Sequence, residues 1–185
     1  MSQTKIAVVI GSLRKDSLNR KLALAIAHLA PEDFTFEHLR IDDLPLYNQD
    51  NDGNQAPEVR RLKTEIAAAD GVLFVTPEYN RSIPGVLKNA IDNASRPYGQ
   101  SAWAGKPAAI VGISVGPIGT AAAQQHLRPI LGYLDMPTMG QPEVFIHNKE
   151  GLFDNKGHVG EGSRQFLQGW VDRYVAWVKA HAKKA

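Results

Sequence analysis

No cysteine occurs among the 185 residues. That excludes a disulfide framework, a thiolate nucleophile and a cysteine-held iron–sulfur cluster. No apolar run approaches the ~20 residues needed to cross a bilayer. Met1 to Lys5 leads straight into a strand pattern and leaves no room for a signal peptide, so a cytoplasmic location is expected. Charge of one sign is scarce as well. The net charge is +2, and no basic stripe interleaves with aromatics, so no nucleic-acid partner is expected. The six histidines, at 28, 38, 126, 147, 158 and 181, include no pair at metal-ligand spacing, so no metal is expected either. Repeats and low-complexity segments are missing, and the only tail is the short basic one from Lys179 to Ala185. What is present is 43% hydrophobic and of a length for one domain over 1–185.

The most informative stretch is the first strand and the turn that leaves it. Ile6-Ala7-Val8-Val9-Ile10 is an unbroken apolar run, as in a strand covered on both faces. Gly11 ends it and lets the backbone bend and be approached closely. Leu18, Leu22, Ala25, Ile26 and Leu29 then recur at helical spacing. Between strand and helix lie Ser12, Arg14, Ser17 and Asn19, which are hydrogen-bond donors beside a helix N-terminus and together form an anion site. Arg14, Lys15, Arg20 and Lys21 crowd this turn with only Asp16 against them. Cations at a helix N-terminus cost roughly 0.3–1 kcal/mol each, so a bound phosphate would explain them. The turn lacks the Gly-x-x-x-x-Gly-Lys-Ser/Thr of nucleoside-triphosphate loops and the Gly-x-Gly-x-x-Gly of dinucleotide sites. It fits a single terminal phosphate, and flavin mononucleotide (FMN) is the obvious ligand carrying one.

The rest of the chain alternates strand and helix. Helices are predicted from 17 or 18 to 30, over 57–69, 84–94 and 120–134, and over 163–179. Pro129 is expected to kink or restart the fourth. The later strands are predicted over 34–39, 72–75, 108–113 and 144–146. The loop from Asp42 to Pro57 is long for a connector, which suggests a binding or interface role. This order predicts an α/β fold: a flavodoxin-like, doubly wound, five-stranded parallel sheet, order 2-1-3-4-5, with helices on both faces. In that topology the loops after strands one, three and four leave by the same end and converge on one site. The loop after strand three, Pro77-Glu78-Tyr79-Asn80, is polar, aromatic and stiffened by prolines, as a mount for a flat ring would be. The loop after strand four has Ser114, Gly116 and Gly119, which let backbone amides approach a ligand.

Gly11 to Asn19, Thr76-Pro77-Glu78-Tyr79-Asn80 and Lys88-Asn89-Ala90-Ile91-Asp92 resemble the NADPH-dependent FMN reductase family, above all its bacterial quinone and chromate reductase branch. The resemblance spans roughly 5–143. It implies that Ser12, Arg14, Ser17 and Asn19 hold the FMN phosphate, that Pro77, Glu78, Tyr79 and Asn80 line the flavin ring, and that Ser114 contacts it. Thr120 stands where the family often has a glycine. The implied activity is two-electron transfer, as hydride, from NADPH or NADH through FMN to quinones or similar acceptors such as chromate, azo or nitro compounds. No catalytic side chain is required. The resemblance also implies a homo-oligomer, a dimer or tetramer, with Arg128 and Glu143 as an ion pair between subunits. Trp103 and the loop from Asp42 to Pro57 are expected to frame the acceptor pocket. Two other readings stand beside this one. A non-catalytic electron carrier would share the flavin site, but such carriers are usually strongly acidic. A serine hydrolase would use Gly112-Ile113-Ser114-Val115-Gly116, with Asp135 and His147 following in chain order.

Overall fold

Five segments form strands: β1 (Thr4–Ile10), β2 (Phe34–His38), β3 (Gly71–Val75), β4 (Ala108–Ser114) and β5 (Phe145–His147). The computed structural model describes residues 3–182. Residues 1 and 2 of the N-terminal segment and 183–185 of the basic tail lie outside them. The strands pair in parallel in the order β2-β1-β3-β4-β5, as the alternation predicts. β3 is buried along its whole length, β1 from Ile6 to Ile10 and β4 from Ala108 to Ile113, which explains their unbroken apolar runs.

Side chains alternate between two cores, one on each face. Ile6, Val8 and Ile10 of β1 face α1 (Leu18–Leu29) and α5 (Glu161–His181), packing with Leu22, Ile26, Trp170 and Tyr174. Ala7 and Val9 face α2 (Pro57–Ala67), α3 (Gly85–Ala94) and α4 (Ala121–Tyr133), packing with Leu62, Leu87, Ile91 and Leu127. Parallel strands place every crossover exit at one rim of the sheet.

Several boundaries differ from the sequence prediction. α4 runs through Pro129 without interruption instead of restarting there. Its apolar face, Leu127 and Leu131, is fully buried, and that packing outweighs the one lost backbone bond. β4 continues to Ser114 because β5 pairs with its last residues, Ser114 opposite His147. The long loop contains a 3₁₀ turn, Gln49–Asn54, and is fastened to α3. The amides of Asn89 and Asn93 donate to the Pro45 carbonyl at 3.0 and 3.1 Å, and Asn89 accepts from the Tyr47 N–H at 2.9 Å.

Trp103 does not frame a pocket. It is fully buried, its indole N–H donates to the Ile91 carbonyl at 3.0 Å, and its ring lies 5.6 Å from that of Phe74. A large apolar ring with a satisfied polar edge is better placed in the core than at a rim. Arg128 and Glu143 meet within one chain, at 3.1 Å, and Glu143 also accepts from Gln125 at 2.6 Å.

Candidate functional site

The geometry of the rim begins with register. Ile10, the last residue of β1, pairs with Val75, the last of β3, and Val75 pairs with Val111. The exits of β1 and β3 therefore leave at one level. β4 continues from Val111 to Ser114, roughly 10 Å farther at ~3.3 Å per residue. It stands above its neighbour as a wall. At this height β3 no longer supplies a partner, and Asn19 takes that place. Its amide accepts from the Ile113 N–H at 3.1 Å and donates to the Ile113 carbonyl at 3.0 Å, as a strand backbone would. Asn19 thus fastens the start of α1 to β4.

In the first loop, no backbone N–H from Ser12 to Asn19 has an acceptor among the described residues. The loop is anchored below by Gly11, whose N–H donates to the Val75 carbonyl at 2.9 Å. A side chain at Gly11 would be 3.3 Å from Leu87, Pro77 and Thr76, so the glycine permits this close passage. Ser17 caps α1, its Oγ accepting from the Arg20 N–H at 3.2 Å, and the first turn contains no acidic residue. Ser12 is 5% exposed and its hydroxyl has no partner among the described residues. Arg14, Lys15, Arg20 and Lys21 form no ion pair among the described residues. Amide donors, hydroxyls and the positive end of a helix thus meet where an anion is favoured, with unpaired cations around them, of which Arg20 turns toward the end of β2.

The second loop is a tight hairpin. Tyr79 and Ser82 exchange both backbone hydrogen bonds at 3.0 Å, and Asn80 and Arg81 between them take φ of 50° and 64°. Left-handed backbone at two consecutive non-glycine residues is costly and is held only by its surroundings. Side-chain contacts hold it, among them the pairing of Arg81 with Glu78 at 3.4 Å. The buried Glu78 carboxylate accepts from the N–H groups of Ala122 and Ala123 at 3.0 and 3.2 Å, capping α4 from a distance of 44 residues in sequence. His126 Nδ1 lies 3.0 Å from Ser82 Oγ. The Glu78 side chain is thereby turned toward α4, whereas the amides of Glu78, Asn80 and Arg81 have no acceptor among the described residues. Tyr79 is exposed at the rim and does not cap a core.

The third loop is organised by Ser114, whose Oγ lies 3.1 and 2.5 Å from the carbonyls of Gly116 and Gly119. A Cβ on Gly112 would fall 2.1 Å from the Thr76 carbonyl oxygen, and one on Gly119 2.7 Å from the Phe145 backbone. These glycines answer to packing. Gly116 faces open space, with only Ser114 Oγ nearby, at 3.8 Å. Leu13, Tyr79, Val115 and Ile118 are exposed, so each of the three loops adds a large side chain to an apolar margin. A polar cradle with an apolar margin suits a flat ligand that ends in an anion.

The rim therefore brings together Ser12, Arg14, Ser17, Pro77, Tyr79, Asn80, Ser114 and Gly116. Asn19 and Glu78 stand among them, but their side chains act as fasteners. Sequence reasoning missed both of these roles, and it missed the Ser82–His126 contact. Only Asn19, beside the helix start, gave a local signal of importance.

The hydrolase arrangement is not formed. The Ser114 hydroxyl is engaged by its own loop. Asp135 lies at the opposite rim, its carbonyl accepting from Gly105 just before β4, while Ser114 ends β4. The two are the full length of a seven-residue strand apart.

Comparison with known proteins follows the same lines. Residues 4–151 match the family described as NADPH-dependent FMN reductase. A 2-hydroxy-1,4-benzoquinone reductase from Burkholderia sp. is 57% identical over 176 residues, covering 95% of this chain and 96% of the relative. A quinone reductase from Pseudomonas putida is 52% identical over 181 residues, covering 97% of each. Among solved structures, the flavoenzyme NAD(P)H:(acceptor) oxidoreductase FerB from Paracoccus denitrificans superposes with a TM-score of 0.93. It is 46% identical, with 97% of this chain and 100% of the other covered.

Proposed function

The chain belongs to the NADPH-dependent FMN reductase family, and on that premise we propose that it is an FMN-dependent NAD(P)H:quinone oxidoreductase. Bound FMN would supply the redox chemistry, two-electron transfer from NAD(P)H to a quinone. The observation that carries the reading is the row of unpaired amides from Ser12 to Asn19 at the start of α1.

Those amides, with the hydroxyls of Ser12 and Ser17 and the Arg14 guanidinium, would hold the terminal phosphate. Asn19 would contribute its N–H, while its side chain keeps the loop in position against β4. Backbone donors at Glu78 and Asn80 would meet the polar edge of the ring, with Pro77 stiffening the approach and Tyr79 offering an aromatic face. Ser114 would shape the wall opposite, and the open space at Gly116 leaves room beside it. Leu13, Val115 and Ile118 would exclude water from the margin.

An electron carrier would use the same cradle, but such carriers are strongly acidic, whereas the net charge of this chain is +2. Homo-oligomerisation belongs to the proposal too: the exposed side chains of Leu46, Tyr98 and Tyr133 offer apolar surface away from the rim. The purified protein should be yellow and should oxidise NADPH or NADH with benzoquinone as acceptor. A colourless protein that FMN does not reconstitute overturns the reading, and flavin binding without turnover favours the carrier.

A further inference from the structure

We propose that the cleft beside the phosphate loop, between the ends of β1 and β2, takes the phosphorylated ribose of NADPH, with Arg20 as the counter-charge of its 2′-phosphate. The proposal rests on the reading above. The cleft encloses about 520 Å³, and Ser12, Arg20, His38, Arg40 and Asp42 are among the residues that line it. Ser12 forms the wall shared with the phosphate loop.

The charges in it are not equivalent. Arg40 is already matched, its Nε lying 3.0 Å from Asp42 and 3.6 Å from Asp43. Arg20 is exposed and pairs with no carboxylate among the described residues. Its backbone N–H is taken by Ser17, so only the side chain is left to act, and that side chain faces the β2 end. His38 is held below its ordinary pKa first by desolvation and then by the charge of Arg20. A dianion between Arg20 and His38 would relieve that repulsion. The Asp42 carboxylate at the same cleft repels a phosphate but accepts from hydroxyls. An anion at one end and hydroxyls at the other describe a sugar phosphate.

This second anion position is separate from the first. The FMN phosphate has the amides of Ser12 to Asn19, whereas the β2 cleft has side chains. From the exit of β3 across β1 to β2 is two strand spacings, about 10 Å, and a dinucleotide laid along the rim spans that. NADH, which lacks the 2′-phosphate, leaves Arg20 unmatched.

Calorimetry on the FMN-loaded protein tests this, with adenosine 2′,5′-bisphosphate and 5′-AMP as probes. The bisphosphate should bind about tenfold more tightly than 5′-AMP, the effect of one charged hydrogen bond. Arg20→Ala should remove that difference and raise the ratio of KM for NADPH to KM for NADH about tenfold, and Arg20→Lys should restore part of both. Equal affinity of the two nucleotides in the unaltered protein overturns the proposal, as does an Arg20→Ala variant in which both donors shift together. Absence of quinone turnover would instead strike the reading above, while the calorimetric comparison still decides this one.

Discussion

The two rims of the sheet treat polar groups in opposite ways. At the N-terminal rim several are paired within the chain. Asp70 accepts from the Lys5 N–H at 2.8 Å, and the indoles of Trp103 and Trp177 donate to the carbonyls of Ile91 and Pro137 at 3.0 and 2.9 Å. Lys106 reaches the Ala67 carbonyl at 2.8 Å and also contacts that of Ala69, covering the end of α2. At the C-terminal rim the amides of Ser12 to Asn19 have no acceptor among the described residues. Chain with its donors satisfied contributes stability. Chain with donors aligned and unpaired is built for something else to bind. The contrast separates where this chain is held together from where the proposed cofactor would sit.

Mutations can break or sharpen that separation. The largest effect is expected from Trp103→Ala, a loss of about 3–5 kcal/mol in urea unfolding with FMN affinity of the folded protein unchanged. Flavin loss at denaturant concentrations where the variant is still folded would erase the distinction between rims. Arg14→Ala should do the reverse. Fluorescence titration should show FMN binding weakened by about 1–3 kcal/mol, with unfolding shifted by no more than about 0.5 kcal/mol. Unaltered flavin affinity would remove Arg14 from the cradle. Ser17→Ala should fall between, costing about 1 kcal/mol of stability through the lost cap and about 1 kcal/mol of FMN affinity. A change in only one of the two measurements would show that the hydroxyl serves one role and not both.

The fold was legible where local pattern decides it. Apolar runs marked β1, β3 and β4, helical spacing marked α1 and α5, and the alternation of elements led to the order of the sheet. The loop proposed for the anion stood out because strand, glycine, hydroxyls and helix start lie within a few residues of one another. What escaped depends on partners far away in sequence. The Asn19 clamp reaches 94 residues ahead, and the Glu78 cap 44. Neither bond has a periodicity or a motif. Trp103 looked like a rim residue because its loop is polar, yet its burial is decided by Phe74 and Ile91. Pro129 illustrates the same limit, since a local helix breaker sits in a helix that tertiary packing maintains.

The Asn19 and Glu78 fasteners have a joint consequence. One ties the first crossing to the third, and the other ties the second to the helix that follows the third. The rim is therefore braced like a tripod, in which no leg can shift alone. Slackening either brace would blur the positions of all three loops at once, and loss of ligand binding on truncating Asn19 or Glu78 would report misalignment of the whole rim, with no direct contact to the ligand removed.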